Sequence, residues 1–161
     1  MKNILILLFM LCITGCVASD PNLMTPSEVS VTNQIMGTAQ INVVGSNERI
    51  ITNEAIRSAI ENAIVQNSIF SNDSKQFRLN ASVLAIENPL IGASLKAELR
   101  IRWVLYDTES SEEVFNEVIS NEYIATMGDS IVALQRMKIA NENVVKDNIR
   151  IALEKISAGE Y

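Results

Sequence analysis

LKAELRIRWVL, residues 95–105, carries the clearest alternation in the chain: Leu95, Ala97, Leu99, Ile101, Trp103 and Leu105 are apolar, and Lys96, Glu98, Arg100 and Arg102 stand between the first five of them. Successive side chains of an extended chain point to opposite faces, so this is a strand with one buried and one solvated face. Wound as a helix, the same residues would spread apolar and charged groups around the whole circumference. A half-solvated strand belongs to an antiparallel sheet with one open side. Trp103 falls in the apolar phase and reads as core.

Upstream, Phe77, Leu79, Ala81, Val83 and Ala85 alternate with Arg78, Asn80 and Ser82 and stop at Asn88-Pro89. A short connection containing Pro89 and Gly92 joins the two runs into a hairpin. Downstream, residues 107–112 form a turn, and residues 114–125 a fourth strand with Val114-Phe115 and Val118-Ile119 on both faces. Residues 29–43 show period two at Val29, Val31, Ile35, Gly37, Ala39, Ile41 and Val43, which predicts a long first strand bent near Gly37 and ended by Gly45-Ser46-Asn47.

Two segments carry the helical period. Thr52 or Asn53 can cap a helix bearing Ile56, Ile60 and Ile64 beside Ala55, Ala59 and Ala63, with residues 71–74 as the loop that follows it. After the loop Met127-Gly128-Asp129, residues 130–156 place Leu134, Met137, Val144, Val145, Ile149, Ala152, Leu153 and Ile156 on one stripe, interrupted or bordered by Asn141 and Asn148. A coiled coil competes for this helix; packing on the sheet gives every amphipathic element a partner. The order β-α-β-β-β-α therefore predicts an α+β two-layer sandwich over residues 28–161, with a mainly antiparallel four-stranded sheet and two helices on one face.

The chain starts differently. Lys2 precedes ten residues, 4–13, without a charge, long enough for a signal-peptide core and too short to span a bilayer. Residues 17–27, with Pro21 and Pro26 among polar residues, read as a short tether. The formal charge is −6, and removal of residues 1–15 takes away Lys2 while keeping all 19 acidic residues. Such a balance is poor for nucleic acid, whose binding depends on neutralising phosphates. There is no histidine, so the commonest general base and metal ligand are both missing. No spacing calls for a catalytic group, a metal or a cofactor.

Ile13, Thr14, Gly15 and Cys16, placed directly after the apolar run, resemble the lipobox of bacterial lipoproteins. That resemblance implies cleavage before Cys16, diacylglycerol on its thiol and a fatty acid such as palmitate on the new amino terminus. It makes residues 1–15 the signal peptide and Cys16 the start of the tether. Cys12 then leaves with the signal, and no disulfide is available. In Gram-negative bacteria Asp after the lipidated Cys retains the protein at the inner membrane; Val17 stands there, which implies outer-membrane sorting with the domain facing the periplasm. The stretch from Met127 to Ile156, with Asp129, Ala133 and Leu134 ahead of a long helix, is similar to that of the small α+β lipoproteins of the Gram-negative outer membrane, among them the lipoprotein subunit of the lipopolysaccharide-transport translocon.

Candidate contacts lie on the polar side of the sheet and at its end. Arg100 and Arg102 share a face with Lys96 and Glu98, and Arg78 sits on the neighbouring strand; these residues either meet an anionic partner or neutralise each other across strands. Leu90 and Ile91, in the hairpin tip, either touch a membrane or partner or pack over the sheet's end. Glu109, Glu112, Glu113, Glu117 and Glu122 either form an acidic docking edge or weak calcium site or protect a strand edge. The chain thus reads as a noncatalytic accessory or assembly lipoprotein docking on an envelope protein. The alternative is a lipid- or glycolipid-binding lipoprotein using the hairpin tip with Arg100 and Arg102.

Overall fold

A computed structural model describes residues 19–46, 50–91 and 93–159, with the side chains of Leu90 and Ile91 outside that description. Ile13, Thr14, Gly15, Cys16, Val17, Asn47 and Gly92 lie outside the described residues. A short helix α1 (Pro21–Met24) is followed by β1 (Ile35–Val44), α2 (Asn53–Gln66), β2 (Phe70–Glu87), β3 (Leu90–Ile91), β4 (Ser94–Asp107), β5 (Glu113–Ala125) and α3 (Ala133–Ser157). β4 pairs antiparallel with both β2 and β5, and the two-residue β3 pairs with its start. β1 lies parallel to β2, so the sheet is mixed and mostly antiparallel. α2 provides the crossover that two parallel neighbours require.

The alternation of residues 95–103 holds in β4, and only Val104, apolar and buried in the even phase, departs from it. Leu95, Ala97, Leu99, Ile101, Trp103 and Leu105 are buried against the helices, while Arg100 and Arg102 are exposed on the other face. β2 obeys the same rule only as far as Val83. A register shift between Val83 and Ala85 places Ala85 opposite Arg100 and Ile86 opposite Leu99, which turns Ala85 to the open face and Ile86 to the helices. A bulge adds one residue to one strand, so the phase expected of Ala85 is reversed.

β1 is shorter than the expected residues 29–43. Val29 to Asn33 instead satisfies its backbone on helix ends: Val29 N donates to Asn67 Oδ1 (3.0 Å), Thr32 N to Ser157 Oγ (3.3 Å) and Asn33 N to the Ser157 carbonyl (2.9 Å). The bend foreseen at Gly37 coincides with a register shift between Met36 and Thr38. Gly37 has φ +147°, and a Cβ there would stand 2.6 Å from the Lys75 carbonyl oxygen. Only glycine tolerates both. β2 begins at Phe70, ahead of the expected loop at residues 71–74.

Both main helices pack on one face of the sheet. Thr52 caps α2 by accepting from Ala55 N (3.1 Å), and Ala55, Ile56, Ala59, Ile60 and Ala63 form its buried side. α3 buries Ala140, Val144, Val145, Ile149, Ala152, Leu153 and Ile156, so it packs on β4 and β5 rather than forming a coiled coil. Asn148 does not interrupt the stripe. It is fully buried, accepts from Trp103 Nε1 (2.9 Å) and donates to the Ile119 carbonyl (3.1 Å) and Asn121 Oδ1 (2.7 Å). Asn121 Nδ2 then donates to the Val144 carbonyl (2.8 Å), closing the circuit on α3.

The segment expected to be a tether is folded from Ser19 onward. Ser19 N donates to the Ile50 carbonyl (2.8 Å), Asp20 N donates to the buried Glu142 carboxylate (3.0 Å), and Asp20 caps α1 through Asn22 N (2.9 Å). Met24 is fully buried and Thr25 nearly so, in contact with both α2 and α3. Polar residues and prolines mark a linker only while nothing offers their neighbours a place to pack; here two helices leave a gap that α1 fills. The domain therefore begins at least as early as Ser19, and a third, short helix joins the two that cover the sheet.

Asn148→Ala leaves the Trp103 N–H and its other partners unpaired in the core and should destabilise the fold by about 3 kcal/mol in urea unfolding. Combined with Trp103→Phe, the loss should fall short of the sum of the single variants, because both remove the same bond.

Candidate functional site

The open face of the sheet carries most of the side chains singled out above. Arg78 lies opposite Tyr106, with its guanidinium 5.1 Å from the centre of the ring. Tyr106 donates its hydroxyl to Glu113 Oε1 (2.9 Å), Asn116 Nδ2 donates to Glu113 Oε2 (2.7 Å), and Arg102 Nε donates to Asn116 Oδ1 (3.0 Å). Arg78 and Arg102 thus belong to one row across β2, β4 and β5, held in place before any partner arrives. The Tyr106 hydroxyl holds the Glu113 carboxyl below its ordinary range, helped by Asn116, and Glu113 in turn raises the Tyr106 phenol.

Lys96 stands apart from this row. It pairs with Glu98 (2.8 Å) and with Glu122 across the strands, and the hydrogen bonds it donates to Glu122 and then to Glu98 raise its pKa. Here opposite charges neutralise each other. Arg100, two residues beyond Glu98 on the same face, makes no ion pair among the described residues and lies opposite Ser120 and Ala85. Beside it the bulge in β2 leaves a cavity of about 100 Å³ lined by Ala85, Glu87, Glu98, Leu99, Arg100 and Ser120.

The expected acidic group is dispersed. Glu117 points to the helical side and pairs with Lys155, Glu122 pairs with Lys96, and Glu113 serves the row on the open face. Among the described residues no three acidic, histidine or cysteine side chains come close enough to hold a metal ion. β3 places the backbone of Leu90 and Ile91 opposite Leu95 and Ser94, at the end of the sheet away from the Asp107 turn. A second depression, about 550 Å³, opens between Ile64 and Val65 of α2 and the first residues of β1 and β2.

Tyr106 and Asn116 were not among the candidates, and Glu113 was expected in an acidic cluster rather than in this row. Tyr106 continues the even phase of Arg100 and Arg102 and was recoverable by extending the alternation; Asn116 required the β4–β5 register, because Val104, not Arg102, is its direct partner. The Asp20–Glu142 contact, 122 residues apart, had no local signal.

No family model matches the chain, and no curated protein does. Solved structures share its fold. A protein from Caulobacter crescentus described as a lipoprotein is 12% identical, with 74% of this chain and 88% of that one aligned at a TM-score of 0.55. A Xanthomonas campestris protein of the family DUF330 is 11% identical over 88% and 92% of the two chains (TM-score 0.56). A minor lipoprotein from Acinetobacter baumannii is 13% identical over 81% and 94% (TM-score 0.52). At these identities the likeness is one of architecture.

Tyr106→Phe should let Glu113 titrate closer to its ordinary value of 4.5, read as the pH dependence of its carboxyl carbon shift by NMR. A carboxyl with a lowered folded pKa contributes stability above its unfolded pKa and loses it as pH falls through the folded value. The acid limb of the stability profile should therefore flatten in this variant.

Proposed function

We propose that this chain is a noncatalytic bacterial lipoprotein whose open sheet face docks on an envelope protein. Cys16 carries diacylglycerol and palmitate at the outer membrane, and the domain faces the periplasm. The observation that carries this reading is the position of the folded domain: it is already in place at Ser19, three residues past the lipobox cysteine, in an architecture shared with proteins described as lipoproteins. One lipid chain holds a protein weakly; two or three hold it firmly.

The chemistry of the open face supports a protein partner. Met36, Leu84 and Val118 are exposed apolar groups, and the Arg78–Tyr106–Glu113–Asn116–Arg102 row lies among polar groups already ordered. Ordered tyrosine and arginine side chains lose little further entropy on binding and are the types that dominate interface energetics. Glu87, Glu98, Glu113 and Glu122 interleave with the arginines, so a purely anionic ligand would meet carboxylates as well as guanidinium groups. A mixed surface of this kind matches a mixed protein surface better than a phosphate-rich headgroup.

Cys16→Ser should abolish incorporation of labelled palmitate and release the protein from the membrane fraction. A photocrosslinking residue at Val118 should trap a discrete protein in intact cells, and one at Arg150 on the outer side of α3 should not. Equal labelling at both sites, or labelling of glycolipid alone at Val118, would overturn the docking assignment.

A further inference from the structure

The end of the domain that carries the β3–β4 hairpin and the start of α3 is distinguished by what it lacks. From Tyr123 to Gln135 the chain holds one charged residue, Asp129, and from Asn88 to Leu95 it holds none. Asp129 is occupied locally, accepting from Thr126 N (2.7 Å) and Thr126 Oγ1 (2.9 Å). Ile131 is 82% exposed, and Met127, Val132 and Leu134 are each about half exposed. In a chain with 32 charged residues, this is an apolar, nearly uncharged end.

Topology brings these segments together. β5 finishes at Ala125, opposite Leu95 at the start of β4, whose hairpin partner is β3. α3 runs antiparallel to β5, with Val144 beside Asn121 and Lys155 beside Glu117, so its first turns emerge at the same end. Ala133 to Gln135 are exposed there, beyond the part of the helix that the sheet covers.

The anchor point lies close to this end. Asp20 is held at Glu142, nine residues into α3 from Ala133, which is about 13 Å along the helix axis at 1.5 Å per residue. Cys16 precedes Ser19 by three residues, which span at most about 11 Å fully extended. An acylated Cys16 therefore holds Ser19 within about 11 Å of the bilayer, no more than the distance by which α3 carries the apolar end beyond Glu142. The outer helical surfaces, the other side near the anchor, carry Glu54, Arg57 and Glu61 on α2 and Lys146, Asp147 and Arg150 on α3, all costly to press into an interface.

We infer that the end formed by residues 124–134 is a membrane-contact surface, seating the exposed apolar side chains of Met127, Ile131, Val132 and Leu134 in the headgroup region of the bilayer that holds the lipid anchor. This leaves the open sheet face upright beside the membrane and free for the protein partner. The inference rests on the lipid-anchor reading of Cys16, and the test separates the two.

With Cys12 removed alongside the signal and the Cys16 thiol alkylated, a single added cysteine can carry an environment-sensitive fluorophore. Full-length Ile131→Cys, Leu23→Cys, Val118→Cys and Glu109→Cys chains, purified in acylated form and reconstituted in phosphatidylethanolamine–phosphatidylglycerol vesicles, would be labelled and challenged with spin-labelled lipid. A blue-shifted, quenched probe at Ile131 with aqueous emission at Val118 and Glu109 is the expected result. Vesicle-bound protein whose Ile131 probe stays aqueous overturns the contact surface alone and leaves the anchor intact. Quenching at Leu23 or Val118 in place of Ile131 means the domain lies on its helical or sheet side and overturns it equally. Absence of acyl mass on Cys16 removes the anchor, and the contact surface with it.

Discussion

The hydrogen bond from the Trp103 indole to Asn148, buried between the middle of α3 and the middle of the sheet, sets how the two layers meet. Asn148 spends its remaining donors on the Ile119 carbonyl and Asn121, and Asn121 returns to the Val144 carbonyl. A sliding helix would strand all of these groups in an apolar core, where an unmet donor costs more than a mismatched methyl. The surrounding Leu, Ile and Ala contacts supply most of the burial, but they would tolerate more than one register. The amides tolerate one.

From that fixed register the rest of the functional geometry follows. The position of α3 determines where Glu142 stands, and Glu142 receives Asp20, which fixes the first described residues against the helices. The same placement puts both main helices on one side of the sheet, so the Arg78–Tyr106–Glu113–Asn116–Arg102 row remains uncovered on the other. The start of the folded domain and the open face are thus oriented by one buried polar contact.

Sequence and structure agree where one residue's environment is set by its own strand. Residues 95–103 read correctly because β4 is central and flanked by antiparallel partners on both sides, so one regular phase serves all of them. They part where a neighbour decides. Ala85 changes face because a bulge in β2 is a property of pairing, and Val29 and Val31 alternate yet belong to no strand because Val29, Thr32 and Asn33 give their backbone N–H groups to Asn67 and Ser157. Of the site, Arg78, Arg100 and Arg102 were legible as one face; that Arg102 is tied to Asn116 and Lys96 neutralised while Arg100 makes no ion pair among the described residues was not.

The amino-acid sequence alone determined the order of the six main elements, the apolar phase of β4, the α+β class and the absence of histidine chemistry, because each depends on residue type or on spacing within a segment. Tertiary structure decided the parallel pairing of β1, the burial of Met24 and the role of Asn148. Each of those depends on which surfaces remain available after distant segments have packed. Proline and polar residues before Val29 have the composition of a tether, but the gap between α2 and α3 exists only in the folded protein, and filling it with α1 removes apolar surface from water at the cost of ordering a few residues.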